Sequence, residues 1–138
     1  MESVKVRDYM TKHPVALTAQ MSLDSAVETL LQANQTGAPV VNEQHGVIGF
    51  VSEQELLGVM LKSTYHCDLH DNVGDVMRTD VVTVSADDSV LTLAEQMLQL
   101  KPKIYPVVEN GRLIGMINRS RVLHALNTHM KQCYRNTA

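Results

Sequence analysis

The sequence predicts an α/β (α+β) fold built from two related halves, each a β-α-β-β-α repeat, packed with pseudo-two-fold symmetry. Three observations carry that expectation: an internal duplication, a helical apolar stripe that recurs in register, and a Pro-Val-Val strand after each stripe. Pro39-Val40-Val41 returns as Pro106-Val107-Val108, 67 positions on, and at the same spacing Asp8 and Met10 meet Asp75 and Met77. Laid without gaps, residues 18–41 and 85–108 agree at 8 of 24 positions. Ordinary composition gives about one or two matches. A repeat of this kind cannot bury its apolar face alone and needs its neighbour to do so.

The elements follow in order. A short strand over residues 15–17 leads to a helix whose apolar stripe is Leu23, Ala26, Val27, Leu30 and Leu31, the spacing of one buried helical face. The second copy has a strand over 81–84 and a stripe of Val90, Leu93, Ala94, Met97 and Leu98. Ser22 and Ser89 stand just ahead of the stripes, where a hydroxyl caps free amides of the first turn. Next come a strand, a turn and a strand: 38–41 and 47–51 around Asn42-Glu43-Gln44-His45-Gly46, then 105–109 and 113–117 around Asn110-Gly111. Asn-Gly between apolar runs predicts a tight hairpin, because both residues tolerate positive φ. The shorter second turn cuts the offset to 66, which pairs Gly49 with Gly115. Closing helices carry Leu56, Leu57, Met60 and Leu61 in the first half and Val122, Leu123 and Leu126 in the second. The expected organisation is repeat 1 over 4–61, a polar connector over 62–72, repeat 2 over 73–127 and a tail over 128–138.

Composition narrows the function. The 138 residues are 44% hydrophobic and 20% charged, a folded rather than a disordered balance. With 12 Lys+Arg against 15 Asp+Glu the net charge is −3, which argues against a nucleic-acid partner. Aromatic residues are 4%, with no Trp and one Phe, so a base-stacking platform is not expected either. Cys67 and Cys133 cannot make a disulfide framework and read as free thiols. The first residues lack the apolar core of a secretory signal, and no aliphatic run approaches bilayer length. The expectation is a cytoplasmic protein with no membrane partner.

The carriers of the repeat resemble a known family. Val6-Arg7-Asp8-Tyr9-Met10-Thr11 answers Val73-Gly74-Asp75-Val76-Met77-Arg78, and the Pro-Val-Val strands follow. Val47-Ile48-Gly49-Phe50-Val51-Ser52 then answers Leu113-Ile114-Gly115-Met116-Ile117-Asn118. In order, spacing and duplication the chain resembles a tandem pair of CBS domains, of the stand-alone bacterial type. The resemblance implies a compact pair with two clefts at its interface, assembled as a homodimer. It also implies an adenosine-containing regulatory ligand such as AMP, ADP, ATP or S-adenosylmethionine, no required cofactor, and an unidentified protein partner acted on in trans.

Holding a ribose diol takes a carboxylate, and holding phosphate takes Arg, Lys or free amides. The family's ribose clamp runs Gly, a short strand, Thr or Ser, two residues, then Asp. The matching positions are Gly49, Ser52 and Glu55 in the first repeat, and Gly115, Asn118 and Arg121 in the second. Glu55 is one methylene longer than the usual acid; it reads as a sugar acceptor or as a solvated first-turn acid. Arg121 cannot accept a hydrogen bond. Its cleft is either empty or anion-binding, or Arg121 simply pairs with an acid. By resemblance, Thr11, Lys12, His13, Pro14 and Arg78 enter the site beside the first strands. Gly37, Ala38, Pro39, Lys103 and Tyr105 enter it beside the Pro-Val-Val strands. Lys12, His13, Arg78 and Lys103 are the candidates for phosphate. Gly37 and Ala38 leave room for a flat base, and Tyr105 narrows the matching space, which favours the first-repeat cleft.

His66-Cys67-Asp68-Leu69-His70 has two His four apart and a thiol, but no second pair to close a metal site. No nucleophile–base set or phosphate-cradling glycine loop is present, so no enzyme activity is expected. The rival reading is a degenerate pair serving protein interaction or dimerisation without a nucleotide, favoured by the replacement of the usual acid at both Glu55 and Arg121.

Overall fold

The computed structural model describes residues 4–65, 71–99 and 102–137. Its elements are α1 (Val6–Tyr9), β1 (Thr11–Lys12), β2 (Leu17–Thr18), α2 (Leu23–Ala33), β3 (Gly37–Val41), β4 (Val47–Ser52) and α3 (Glu53–Thr64). They continue with α4 (Val73–Val76), β5 (Val84–Ser85), α5 (Val90–Gln99), β6 (Ile104–Glu109), β7 (Arg112–Asn118) and α6 (Arg119–Thr137). The mixed fold is the one the repeats predict. The first strands begin later than expected, at Leu17 and Val84, where each starts a two-residue parallel pairing with Val40 or Val107.

Two compact units form, and each borrows its opening segment from the other half of the sequence. One unit holds Pro14–Val81 and Gly111–Leu113; the other holds Met1–His13, Val82–Asn110 and Ile114–Ala138. Local hydrogen bonds account for the exchange. Val6 and Arg7 donate their amides to Asp88 and Ala86 carbonyls at 3.0 and 2.8 Å, and Val90 donates to Val4. Val73 and Gly74 donate likewise to Met21 and Ala19, each at 2.9 Å. Val6 and Val73, which correspond in the repeat, are both fully buried, one in each core.

In the unit spanning Pro14–Val81 the sheet order is β2-β3-β4, and its core is Leu17, Leu23, Ala26, Leu30, Ala38, Val40, Val51, Leu56 and Val73. Ser22 caps α2 by accepting from the Ser25 amide, and Asn34 ends the helix in the left-handed conformation, φ 56°. The other unit has the sheet order β1-β7-β6-β5, over a core that includes Val84, Val90, Leu93, Tyr105, Val107, Ile117 and Ala125. Asn110 and Gly111 turn its hairpin with φ of 53° and 75°, as the Asn-Gly pair predicts. Arg7 ties α1 to this unit through Glu109 at 2.7 Å and Asp87 at 3.3 Å, and these partners raise its already high pKa.

The helical stripes are narrower than the sequence predicts. Leu23, Ala26 and Leu30 are buried, but Leu31 is 67% exposed, and its counterpart Leu98 is 89% exposed. In the closing helices Leu56 and Val122 are buried while Leu57, Leu61 and Leu123 face out. Adjacent helical positions lie about 100° apart, so the second leucine of each Leu-Leu step sits beyond the rim of the packed face. Val27, Leu30, Leu31, Leu56, Leu57 and Met60 consequently line an open apolar groove of about 490 Å³ on α2 and α3. The helix α6 continues through residues 128–137.

Candidate functional site

Residues Gly37, Ser52, Glu55 and Arg78 come together in the unit spanning Pro14–Val81. Antiparallel pairing sets Gly37 opposite Ser52, Ala38 opposite Val51 and Pro39 opposite Phe50. Ser52 ends β4 and caps α3, its hydroxyl oxygen accepting from the Glu55 amide at 3.3 Å. On the far side of β4, Arg78 exchanges two main-chain hydrogen bonds with Phe50, both 2.9 Å. That approach depends on Gly49: a Cβ there would run into the Met77 sulfur and lie 2.9 Å from the Arg78 carbonyl oxygen.

Glu55 is the centre of this group. A Glu three residues after a capping Ser often returns to the cap's own amide. Here its Oε1 instead takes the Ser52 hydroxyl at 3.2 Å and an ion pair with Arg78 Nε at 3.3 Å. Its Oε2 is buried and has no hydrogen-bond partner among the described residues. An ionised carboxylate oxygen excluded from water and left unpaired is costly, and a donor arriving there recovers that cost. Chemically, the arrangement offers one buried, unpaired acceptor, one occupied acceptor and a guanidinium.

The neighbouring positions are less open than the sequence suggests. Gly37 offers no room for a base on the side where its Cβ would project, because the Phe50 ring fills that side with Cε1 at 2.7 Å. Ala38 and Pro39 are buried in the strand, whereas Pro14 is half-buried. Phe50 and Met77 are the residues the sequence reading missed. The available signal was the sole phenylalanine directly after a glycine that the repeat conserves in position.

In the other unit the corresponding positions hold a different arrangement. Asn118 Oδ1 accepts from the Arg121 amide at 2.9 Å, reproducing the Ser52 cap, but Arg121 is exposed and has no acid partner among the described residues. Thr11 and Lys12 pair with Met116 and Gly115 along the edge of β7. Gly115 is as tight as Gly49, since a Cβ would lie 2.7 Å from the Met10 sulfur and 2.8 Å from the Thr11 carbonyl. His13 is exposed with φ 55°, and exposed Lys103 contributes its carbonyl to the Arg119 amide. Tyr105 is fully buried in the core, its hydroxyl unpartnered among the described residues, and burial raises its pKa.

No three His, Cys, Asp or Glu side chains are grouped to hold a metal among the described residues. The His66–His70 cluster lies outside them. No helix among them is long and apolar enough to cross a membrane.

A family model for the CBS domain matches residues 6–62 and again 73–128. The chain belongs to the CBS-domain family. Among solved structures it resembles the CBS-pair protein CBSX2 from Arabidopsis thaliana, at 27% identity and a TM-score of 0.83 over 94% of this chain and 99% of that one. A structure of CBSX2 in complex with AMP is 28% identical, with a TM-score of 0.80 over 91% and 98% of the two chains. The protein MJ1225 of Methanocaldococcus jannaschii is 27% identical over 123 residues, which are 89% of this chain and 43% of that protein. The A-adding tRNA nucleotidyltransferase of Aquifex aeolicus is 29% identical over 94% of this chain but only 15% of its own length. The chain thus spans less than two thirds of either of these relatives.

Proposed function

We propose that this chain is a regulatory module that binds an adenosine-containing nucleotide at Ser52, Glu55 and Arg78 and acts on a protein partner in trans. One observation carries the reading: Glu55 Oε2 is buried and unpaired beside the Ser52 hydroxyl, at the position where the family places its ribose acid. Two vicinal hydroxyls donate to the two oxygens of one carboxylate, and a guanidinium suits the phosphate that follows the sugar. The AMP complex of a relative with 28% identity supports this ligand class. AMP, ADP, ATP and S-adenosylmethionine are the candidates, none of them a required cofactor. The module is non-catalytic and cytoplasmic in this reading. Repeat-related leucines exposed on α2, α3, α5 and α6 support assembly as a homodimer. Binding regulates by favouring one arrangement of the module over another, to the extent of its differential affinity.

Calorimetry with the four ligands tests the proposal. Heat and a raised melting temperature are expected with at least one, and no response to any rejects nucleotide sensing. Glu55→Ala is expected to abolish the response; unchanged affinity rejects the sugar role of that residue.

The second reading, an interaction module without a ligand, draws on the Glu55–Arg78 ion pair and on Arg121 in the matching position. It requires a stoichiometric partner whose affinity ignores every nucleotide, which a pull-down with and without AMP measures.

A further inference from the structure

We propose that Arg78 is a latch on the Glu55 carboxylate, drawn off by the anionic group of a bound nucleotide, so that the site prefers phosphorylated adenosine ligands to neutral adenosyl ones. This rests on the reading that Glu55 accepts the ribose diol. A diol needs both carboxylate oxygens. Oε2 is buried and waiting, but Oε1 is covered by the Ser52 hydroxyl and by Arg78 Nε. A neutral nucleoside therefore has to break the ion pair with nothing to offer the guanidinium in return. A phosphate offers two of its oxygens to the planar fork of that same guanidinium, whose side-chain partner among the described residues is Glu55.

The geometry confines the motion to a side chain. The Arg78 backbone is pinned to Phe50 by two hydrogen bonds, and Gly49 allows that close approach. The Arg78 side chain is 51% exposed, while that of Glu55 is 24% exposed. The arginine is thus free to swing into solvent, whereas the carboxylate stays where the helix α3 holds it. The other half of the chain lacks the device: Thr11 stands at the position of Arg78 and Arg121 at that of Glu55. A positive charge there has no acid to restrain.

Titration calorimetry of the full chain with AMP and with adenosine, in wild type and Arg78→Gln, tests the latch. Wild type is expected to bind AMP about tenfold or more tighter than adenosine. In Arg78→Gln AMP weakens, and adenosine tightens by about threefold because the carboxylate is released. The gain for adenosine is the decisive reading, since an arginine that merely contacted phosphate would leave adenosine unchanged. AMP bound by wild type with no adenosine gain in the variant overturns the latch alone. No binding of either ligand by either protein overturns the nucleotide reading and the latch with it. Arg78→Ala, measured with the same pair of ligands, carries the test should the Gln variant not fold.

Discussion

Met77 lies across β4 at Gly49, its sulfur in the space a side chain on that glycine would need. The same contact recurs between Met10 and Gly115. Each glycine therefore exists to admit the Asp-x-Met segment contributed by the other half of the sequence. A methionine tip can move aside, but the carbonyl oxygens of Arg78 and Thr11, at 2.9 and 2.8 Å from the would-be Cβ, are backbone. Gly49→Ala and Gly115→Ala are each expected to destabilise the fold by about 1–3 kcal/mol, measured as a lower urea midpoint. An unchanged midpoint contradicts the close-approach role.

Gly58 is the contrasting case. It lies within α3, with nothing within 4 Å of the position a Cβ would take. Alanine adds no clash there and reduces the freedom of the unfolded chain. Gly58→Ala is expected to stabilise by about 0.5–1 kcal/mol, visible as a raised urea midpoint with an unchanged slope.

Much of this architecture is legible from residues alone. The duplication predicts two related sheets, Ser22 caps its helix as its position implies, and Asn110-Gly111 turns with both φ positive. What the sequence does not display is the exchange of opening segments. A repeat read in chain order assigns Val6 to the first half, although its amide bonds to Asp88. The Glu55–Arg78 pair was hidden for a related reason. Each residue was legible as a candidate ligand contact, but their 3.3 Å separation arises from a bridge between Phe50 and Arg78 that no local pattern encodes. The sequence overstates burial at the stripe edges because hydropathy does not distinguish Leu30 from Leu31; only packing does.

The outward leucines make a separate prediction about assembly. Leu57 and Leu123 correspond in the repeat and are each 69% exposed, and Leu31 and Leu98 correspond likewise. Wetted leucine, such as Leu31 and Leu57 lining one groove, favours burial by roughly 25 cal/mol for each Å² removed from water. A second copy of the chain carries the same surfaces, so a self-complementary contact is expected. Sedimentation velocity should show a dimer for wild type and a monomer for Leu57→Lys combined with Leu123→Lys, with the far-ultraviolet dichroism unchanged. A wild type that sediments as a monomer contradicts the homodimer.

Tyr105 gives the pH dependence. Its ring is fully buried, its hydroxyl has no hydrogen-bond partner among the described residues, and burial raises its pKa above the usual value of 10.0. Below about pH 10 the phenol is neutral in both the folded and the unfolded chain, and its contribution to stability is constant. Above that pH the unfolded chain loses the proton while the folded chain keeps it. The folded state then binds more protons, so stability falls as pH rises until the folded-state pKa is passed. Tyr105→Phe keeps the packed ring and removes both the ionisation and the unpaired hydroxyl. At neutral pH it is expected to be neutral or stabilising by up to about 2 kcal/mol, since an unsatisfied buried polar group is deleted rather than created. Between pH 10 and 11 its urea midpoint should decline less steeply than that of wild type. Equal slopes would mean that the phenol reaches solvent before the fold opens.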